Sequence, residues 1–174
     1  MYSLITKSAV LLSILTLLPL VSARADLKKV PLILMDTGTF GPDPDNPTNP
    51  NFASLQGKGA STHLGAIVST GLFEKIDRPS GGFKGKIEGS ATAVPLANPP
   101  SEATTATSKP DAITYRLSAE FRPDASGIFY GIGTYVITGG TGKFKRARGF
   151  GEFIGLANLT GGTYNCFLRG VISY

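Results

Sequence analysis

The chain has 174 residues, of which 41% are hydrophobic and 17% are charged, with 22 glycines, 12 prolines and a single cysteine. This length suits one domain with its own core, and one cysteine excludes an intramolecular disulfide. The formal charge of +5 falls to +3 once the cations Lys7 and Arg24 are removed with an N-terminal leader, so the mature protein is only mildly basic and no nucleic-acid partner is expected.

The N-terminus is typical of a secretory signal peptide. Lys7 is followed by an apolar stretch from Ser8 to Leu20 and by the small-x-small sequence Ala23-Arg24-Ala25. The stretch is shorter than the ~20 residues that a membrane-spanning helix needs. We therefore predict a signal peptide over residues 1–25, a single β-barrel domain over 26–174, and a secreted protein, extracellular or periplasmic.

After this leader, apolar and polar residues alternate with period two, which is typical of strands with one buried face. The two segments richest in Pro, Asp, Asn, Ser and Thr, Gly41–Pro50 and Pro95–Pro110, are predicted to be surface loops, because proline is excluded from central strands. The predicted strands are Val30–Met35, His63–Ile76, Phe83–Val94, Ile113–Phe121, Ile128–Thr138, Phe150–Leu159 and Thr163–Ser173.

Short strands with many glycines indicate either a closed barrel or a sandwich. Closure of a barrel favours glycine where the strands bend and crowd one another. The predicted fold is therefore all-β, a single antiparallel β-barrel of about eight strands.

The glycine-rich segment Thr138–Phe144 is compatible with three structures at first sight. A phosphate loop needs Gly, four residues and then Gly-Lys-Ser/Thr, but Ile137 stands at the first glycine position and Phe144 follows Lys143. In a dinucleotide-binding turn the third glycine would fall at Lys145, and helices would follow where this chain continues with strands. A hairpin turn between two antiparallel strands is the interpretation that remains.

The same segment resembles a known family. Gly139–Phe144, followed by Ala147–Phe150, resembles the glycine-rich element of plant dirigent proteins, and Phe167–Val171 is similar to a strand of allene oxide cyclases. The resemblance covers the last third of the chain well. It implies a dirigent or allene oxide cyclase-like barrel of eight antiparallel strands with a hydrophobic cavity, and a homotrimer.

Both families work by holding an apolar ligand in one orientation. Dirigent proteins steer the coupling of phenoxy radicals, and allene oxide cyclases convert an unstable epoxide to a cyclopentenone. The resemblance therefore implies a small hydrophobic or phenolic ligand, no cofactor and no metal, with dirigent-like or isomerase/cyclase-like activity left open. It assigns Arg148 to the cavity lining, whereas Lys143 departs from those dirigent proteins that carry a carboxylate soon after the glycine-rich turn.

Further candidates come from the residues themselves. Tyr115 and Tyr130 lie on predicted strands, where they either offer hydroxyls to a ligand or fill the core. Asp36 follows the first predicted strand, where capping a turn is favoured over the role of a pocket acid. The lone His63 cannot form a metal cluster, and Cys166 is expected to be a small buried apolar residue.

Three functions are consistent with these features. The first is a secreted barrel that binds a small apolar or aromatic ligand in its interior. The second is an extracellular scaffold or interaction barrel whose interior is filled by side chains. The third is a small outer-membrane barrel, suggested by the alternation from Tyr164 to the terminal Tyr174.

Overall fold

The structure, a computed structural model, describes residues 28–79, 81–94 and 109–174. The predicted signal peptide, residues 1–25, and all but the end of the predicted Pro95–Pro110 loop lie outside these described residues. The strands are β1 (Val30–Pro42), β2 (Phe52–Ser61), β3 (Gly65–Asp77), β4 (Phe83–Ala93), β5 (Ala112–Pro123), β6 (Phe129–Thr141), β7 (Arg148–Asn158) and β8 (Thr163–Ser173).

The eight strands form one closed antiparallel barrel. Each strand pairs with the next along the chain, and β1 closes the sheet by pairing with β8 over the register from Val30↔Ile172 to Thr39↔Thr163. The prediction of an all-β, eight-stranded antiparallel barrel is therefore confirmed. Within the described ranges, no helix is long and apolar enough to cross a membrane.

Six of the seven predicted strands agree with the structure to within three residues at each end. The exceptions lie near the N-terminus, where β1 continues past Met35 to Pro42 and β2 was not predicted at all. β2 has the sequence FASLQGKGAS, whose glycines and polar residues have low β-propensity. Hydrogen bonding to β1 on one side and β3 on the other holds this segment extended in spite of its composition.

The glycine-rich segment reverses the chain later than predicted. β6 and β7 are antiparallel neighbours, with Val136 opposite Phe150, so the predicted pairing is confirmed. However, Gly139 and Gly140 still belong to β6, where they pair with β5, and the turn is made by a 3-10 helix over Gly142–Phe144. Gly142 has φ +57° and lies against Asp111, so glycine is required at this position for both its backbone and its size.

The interior of the barrel is mainly apolar and has two different ends. The 3-10 helix places the fully buried ring of Phe144 over one end, where it packs on Tyr174 with ring centroids 4.5 Å apart. At the other end, here called the aromatic end, five rings meet inside the strands. They belong to Phe40, Phe73, Phe83, Phe121 and Phe129.

Glycines inside the wall make room for these rings. A Cβ atom on Gly85 would lie 2.8 Å from the rings of both Phe73 and Phe121, and one on Gly131 would overlap the ring of Phe121. The ring of Phe121 therefore packs directly on the backbone of β4 and β6, so the abundance of glycine reflects ring packing as well as the bending of strands.

The outer surface differs between two halves of the barrel. Around β3, β4 and β5 it carries exposed ion pairs, namely Lys86–Glu74 at 3.1 Å, Arg116–Glu88 at 2.9 Å and Arg78–Glu120 at 2.7 Å. On β6, β7, β8 and β1 the register aligns apolar side chains in rows across neighbouring strands. We call these residues the outer apolar face: Met35, Ile132, Val136, Phe150, Ile154, Phe167 and Val171.

Candidate functional site

A cluster of polar side chains lies inside the barrel, near the aromatic end. Asp36 on β1, Ser69 on β3 and Tyr164 on β8 are all buried. The Ser69 hydroxyl forms a very short hydrogen bond to Oδ2 of Asp36, and the Tyr164 hydroxyl donates to the same oxygen at 3.0 Å. Three strands that are far apart in sequence thus direct their polar groups to one carboxyl oxygen.

The second oxygen of this carboxyl group has no partner. Oδ1 of Asp36 is buried and forms no hydrogen bond with any described residue. The cluster packs against Gly57 of β2, where a Cβ atom would lie 2.7 Å from Oδ1 and 2.8 Å from the Ser69 hydroxyl. Glycine at this position therefore provides the space that allows the carboxyl and hydroxyl groups to meet. An unpaired buried acceptor is costly, so its presence calls for an explanation such as a bound water, an ion or a functional role.

An interior cavity of about 30 Å³ adjoins the cluster. That volume accommodates about two water molecules. Its walls are mainly apolar and aromatic, with Phe40, Leu55, Phe73, Ile87, Tyr115, Leu117, Phe121, Phe153 and Leu168 among the lining residues.

Tyr115 and Cys166 also line the cavity, as do Thr70 and Asn165. Burial, and secondarily the negative charge of Asp36, raises the pKa of the Cys166 thiol to about 12. Burial also raises the pKa of Tyr115 and Tyr164 well above the ordinary range, again with Asp36 contributing. The thiol and both phenols are therefore protonated at neutral pH and can act as hydrogen-bond donors.

The raised pKa of the Cys166 thiol predicts a loss of stability in alkaline solution. Between the ordinary thiol pKa of 9.0 and the folded value of about 12, the folded protein retains a proton that the unfolded chain has lost. Stability from this group is complete below pH 9 and then falls by up to ~1.4 kcal/mol per pH unit as the pH rises. Chemical denaturation between pH 7 and 11 should show this decline in the wild type and a shallower one in Cys166→Ala. Equal slopes for the two proteins would contradict it.

The three residues predicted for the ligand site lie in different places. Tyr115 lines the cavity. Tyr130 is 45% exposed on the outside of β6. Arg148 is exposed at the start of β7, at the end away from the aromatic rings, where its Nη1 donates to the carbonyl oxygens of Thr138 at 2.7 Å and Ala147 at 2.8 Å. Only Tyr115 is brought to the polar cluster.

Sequence reasoning ranked Asp36 too low and missed Ser69 and Tyr164. The favoured role of Asp36 as a turn cap is wrong, because β1 continues past it to Pro42. The sequence did indicate the position of Asp36. It is separated from Leu32 and Leu34 by an even number of positions, so on one strand all three side chains face the same side, which is the buried one. Within the described ranges, no group of three or more His, Cys, Asp or Glu side chains lies together to hold a metal ion.

The Asp36 cluster can thus accept a hydrogen bond or a positive charge at one point of a mainly apolar chamber. Such a site can orient a small ligand by one polar contact and many apolar ones. The chain matches no protein-family model, and the search of curated proteins likewise finds no match.

Proposed function

We propose that the protein is a secreted β-barrel that binds a small apolar or aromatic molecule in its interior, with dirigent-like or isomerase/cyclase-like activity as the chemistry such binding would serve. The observation that carries this proposal is the buried carboxyl group of Asp36, which has one unpartnered oxygen beside an aromatic-lined cavity. A barrel evolved only for packing gains nothing from such a group, because an apolar residue there costs less. The dirigent and allene oxide cyclase-like subtype is supported by the glycine-rich resemblance in the sequence.

The size of the cavity constrains how the ligand binds. A volume of about 30 Å³ is smaller than a phenol ring, so a ring-sized ligand must displace side chains. The rings of the aromatic end are the candidates for this movement, and Phe40 contacts Tyr164 with centroids 5.5 Å apart. Binding would then couple repacking of the aromatic end to contact with Asp36.

Native mass spectrometry of the protein purified from its source tests this function. We expect a copurified molecule of low mass, retained under gentle conditions and released on unfolding. Protein from the natural source that carries no such molecule, and that does not bind neutral apolar probes in a saturable way, would contradict the proposal.

A second function, that of a filled extracellular scaffold, is favoured by one observation. The cavity beside Asp36 has a volume of only about 30 Å³, which a pair of buried waters could fill. In that case Oδ1 of Asp36 is hydrated and no probe enters the barrel. The outer-membrane alternative receives less support, because the ion pairs on β3 to β5 would face lipid.

Self-association through the outer apolar face is part of the proposal. Ile132 on β6, Ile154 on β7, Phe167 on β8 and Met35 on β1 form one row across four strands by register. Ile132 and Met35 are 59% and 57% exposed in the single chain. Contiguous exposed apolar surface of this kind marks protein interfaces. A homotrimer built on this face also agrees with the family resemblance.

Ile132→Glu should therefore convert the assembly to monomers, because it places a charge in the middle of the apolar row. The matched control is Leu72→Glu, which makes the same type of change at a 50% exposed position on β3, among the ion pairs. Native mass spectrometry or light scattering should report trimers for the wild type and the control. A monomeric wild type, or an Ile132→Glu protein that still forms trimers, would contradict this interface.

A further inference from the structure

The charge of Asp36 has no counterpart inside the barrel. The side chain is 6% exposed, and no Lys, Arg or His of the described ranges lines the cavity beside it. The described cations that form ion pairs do so with other acids, namely Glu74, Asp77, Glu88, Asp111 and Glu120. A buried carboxylate without a cation is strongly disfavoured, and a ligand that brings a positive charge removes this penalty.

The hydrogen bonds around Asp36 are complete on one side only. Ser69 and Tyr164 both donate to Oδ2, whereas Oδ1 receives no donor from the described residues. The group that is missing is therefore a donor rather than an acceptor. A charged N–H donor suits a carboxylate best, because charge-assisted hydrogen bonds are about twice as strong as neutral ones.

The walls of the cavity also favour a cation. Phe40, Phe73 and Tyr164 form a continuous group of rings, with centroid separations of 5.5 and 5.8 Å. The faces of such rings attract cations, and most strongly where water is excluded. The volume of about 30 Å³ limits the charged group to the size of one or two waters, which a primary ammonium fits and a guanidinium does not.

We propose that the ligand carries a primary ammonium group, which binds the carboxylate of Asp36, and an apolar chain or ring that lies among the side chains of the aromatic end. This inference rests on the proposed function and specifies the chemical class of the ligand. The apolar part determines how tightly the ligand binds, and the ammonium group fixes its orientation at the Asp36 cluster.

The test is a titration with three probes of similar size, n-butylammonium, n-butanol and butyrate, followed by the methyl NMR signals of the inward-facing Leu55 and Leu168. We expect the ammonium to bind the wild type at least about ten-fold more tightly than butanol, and butyrate to bind more weakly than either. Asp36→Asn should remove this preference. Glu152→Gln, which removes an exposed carboxylate on β7, should retain it.

The outcomes separate the two proposals. If butanol binds inside the barrel and the ammonium shows no preference in the wild type, the ligand class is wrong and the proposed function stands. If Asp36→Asn still prefers the ammonium to butanol, the preference comes from an acid on the surface, and this inference is also overturned. If none of the probes shifts the inward methyl signals, both proposals are contradicted. The wild-type comparison decides between these results even if Asp36→Asn does not fold.

Discussion

Phe121→Ala should lower the free energy of unfolding by about 3–5 kcal/mol, the range measured for removal of a buried ring. The side chain is 5% exposed, stacks on Phe83 with centroids 4.7 Å apart, and also contacts Phe73 and Phe153. The backbone beneath it at Gly131 cannot supply a side chain to fill the resulting space. Urea denaturation of the two proteins measures the difference.

Leu72→Ala provides the control for this substitution, because Leu72 is 50% exposed on the outside of β3. Its loss should change stability by no more than about 0.5 kcal/mol. A loss of less than about 1 kcal/mol in Phe121→Ala would show that the aromatic end is not closely packed, and the described ring geometry would then be wrong.

Asp36→Val should instead stabilise the protein, raising the free energy of unfolding by about 1–3 kcal/mol, and should remove the preference for a cationic ligand. Valine removes the buried charge and the unpartnered oxygen and suits a strand. The hydroxyls of Ser69 and Tyr164, which lie 3.4 Å apart, can then bond to each other. Denaturation and probe titration of the same preparation measure both effects.

A loss of stability above about 1 kcal/mol in Asp36→Val would identify Asp36 as a structural centre that Ser69 and Tyr164 require. The control is Asp36→Asn, which keeps an oxygen acceptor for both hydroxyls and replaces the carboxylate by a neutral amide. It should retain near wild-type stability and lose the preference for a cationic ligand.

The barrel could be predicted because the pattern that produces its strands is local in the sequence. Alternation of apolar and polar residues along each strand, with Gly and Pro at the breaks, determines which face is buried, as in β5 from Ile113 to Phe121. β2 was not predicted, because its extended conformation is stabilised by pairing with β1 and β3 rather than favoured by its own composition. The turn at Gly142 was misplaced because the glycines before it are used for pairing within β6.

The candidate site could be predicted only in part. The alternation along β1 places Asp36 inside, yet its partners Ser69 and Tyr164 lie 33 and 128 residues away. Ser69 reaches it across β2, and Tyr164 reaches it because β8 closes the barrel on β1. The family resemblance suggested Arg148 as a cavity residue. A match in sequence identifies the residue but does not say which side of the strand its side chain faces. In the structure, neighbouring Gly149 pairs with the inward-facing Ile137, and Arg148 lies outside the cavity.

The central claim, that a small apolar molecule binds inside the barrel beside Asp36, is tested most directly by NMR titration with phenol. Inward and outward methyl groups alternate along the strands, so the spectrum distinguishes the interior from the surface. The account predicts saturable shifts at Leu55, Leu117 and Leu168 with one phenol bound per chain. Shifts confined to Ile132 and Ile154 on the outer apolar face, or shifts that never saturate, would contradict it.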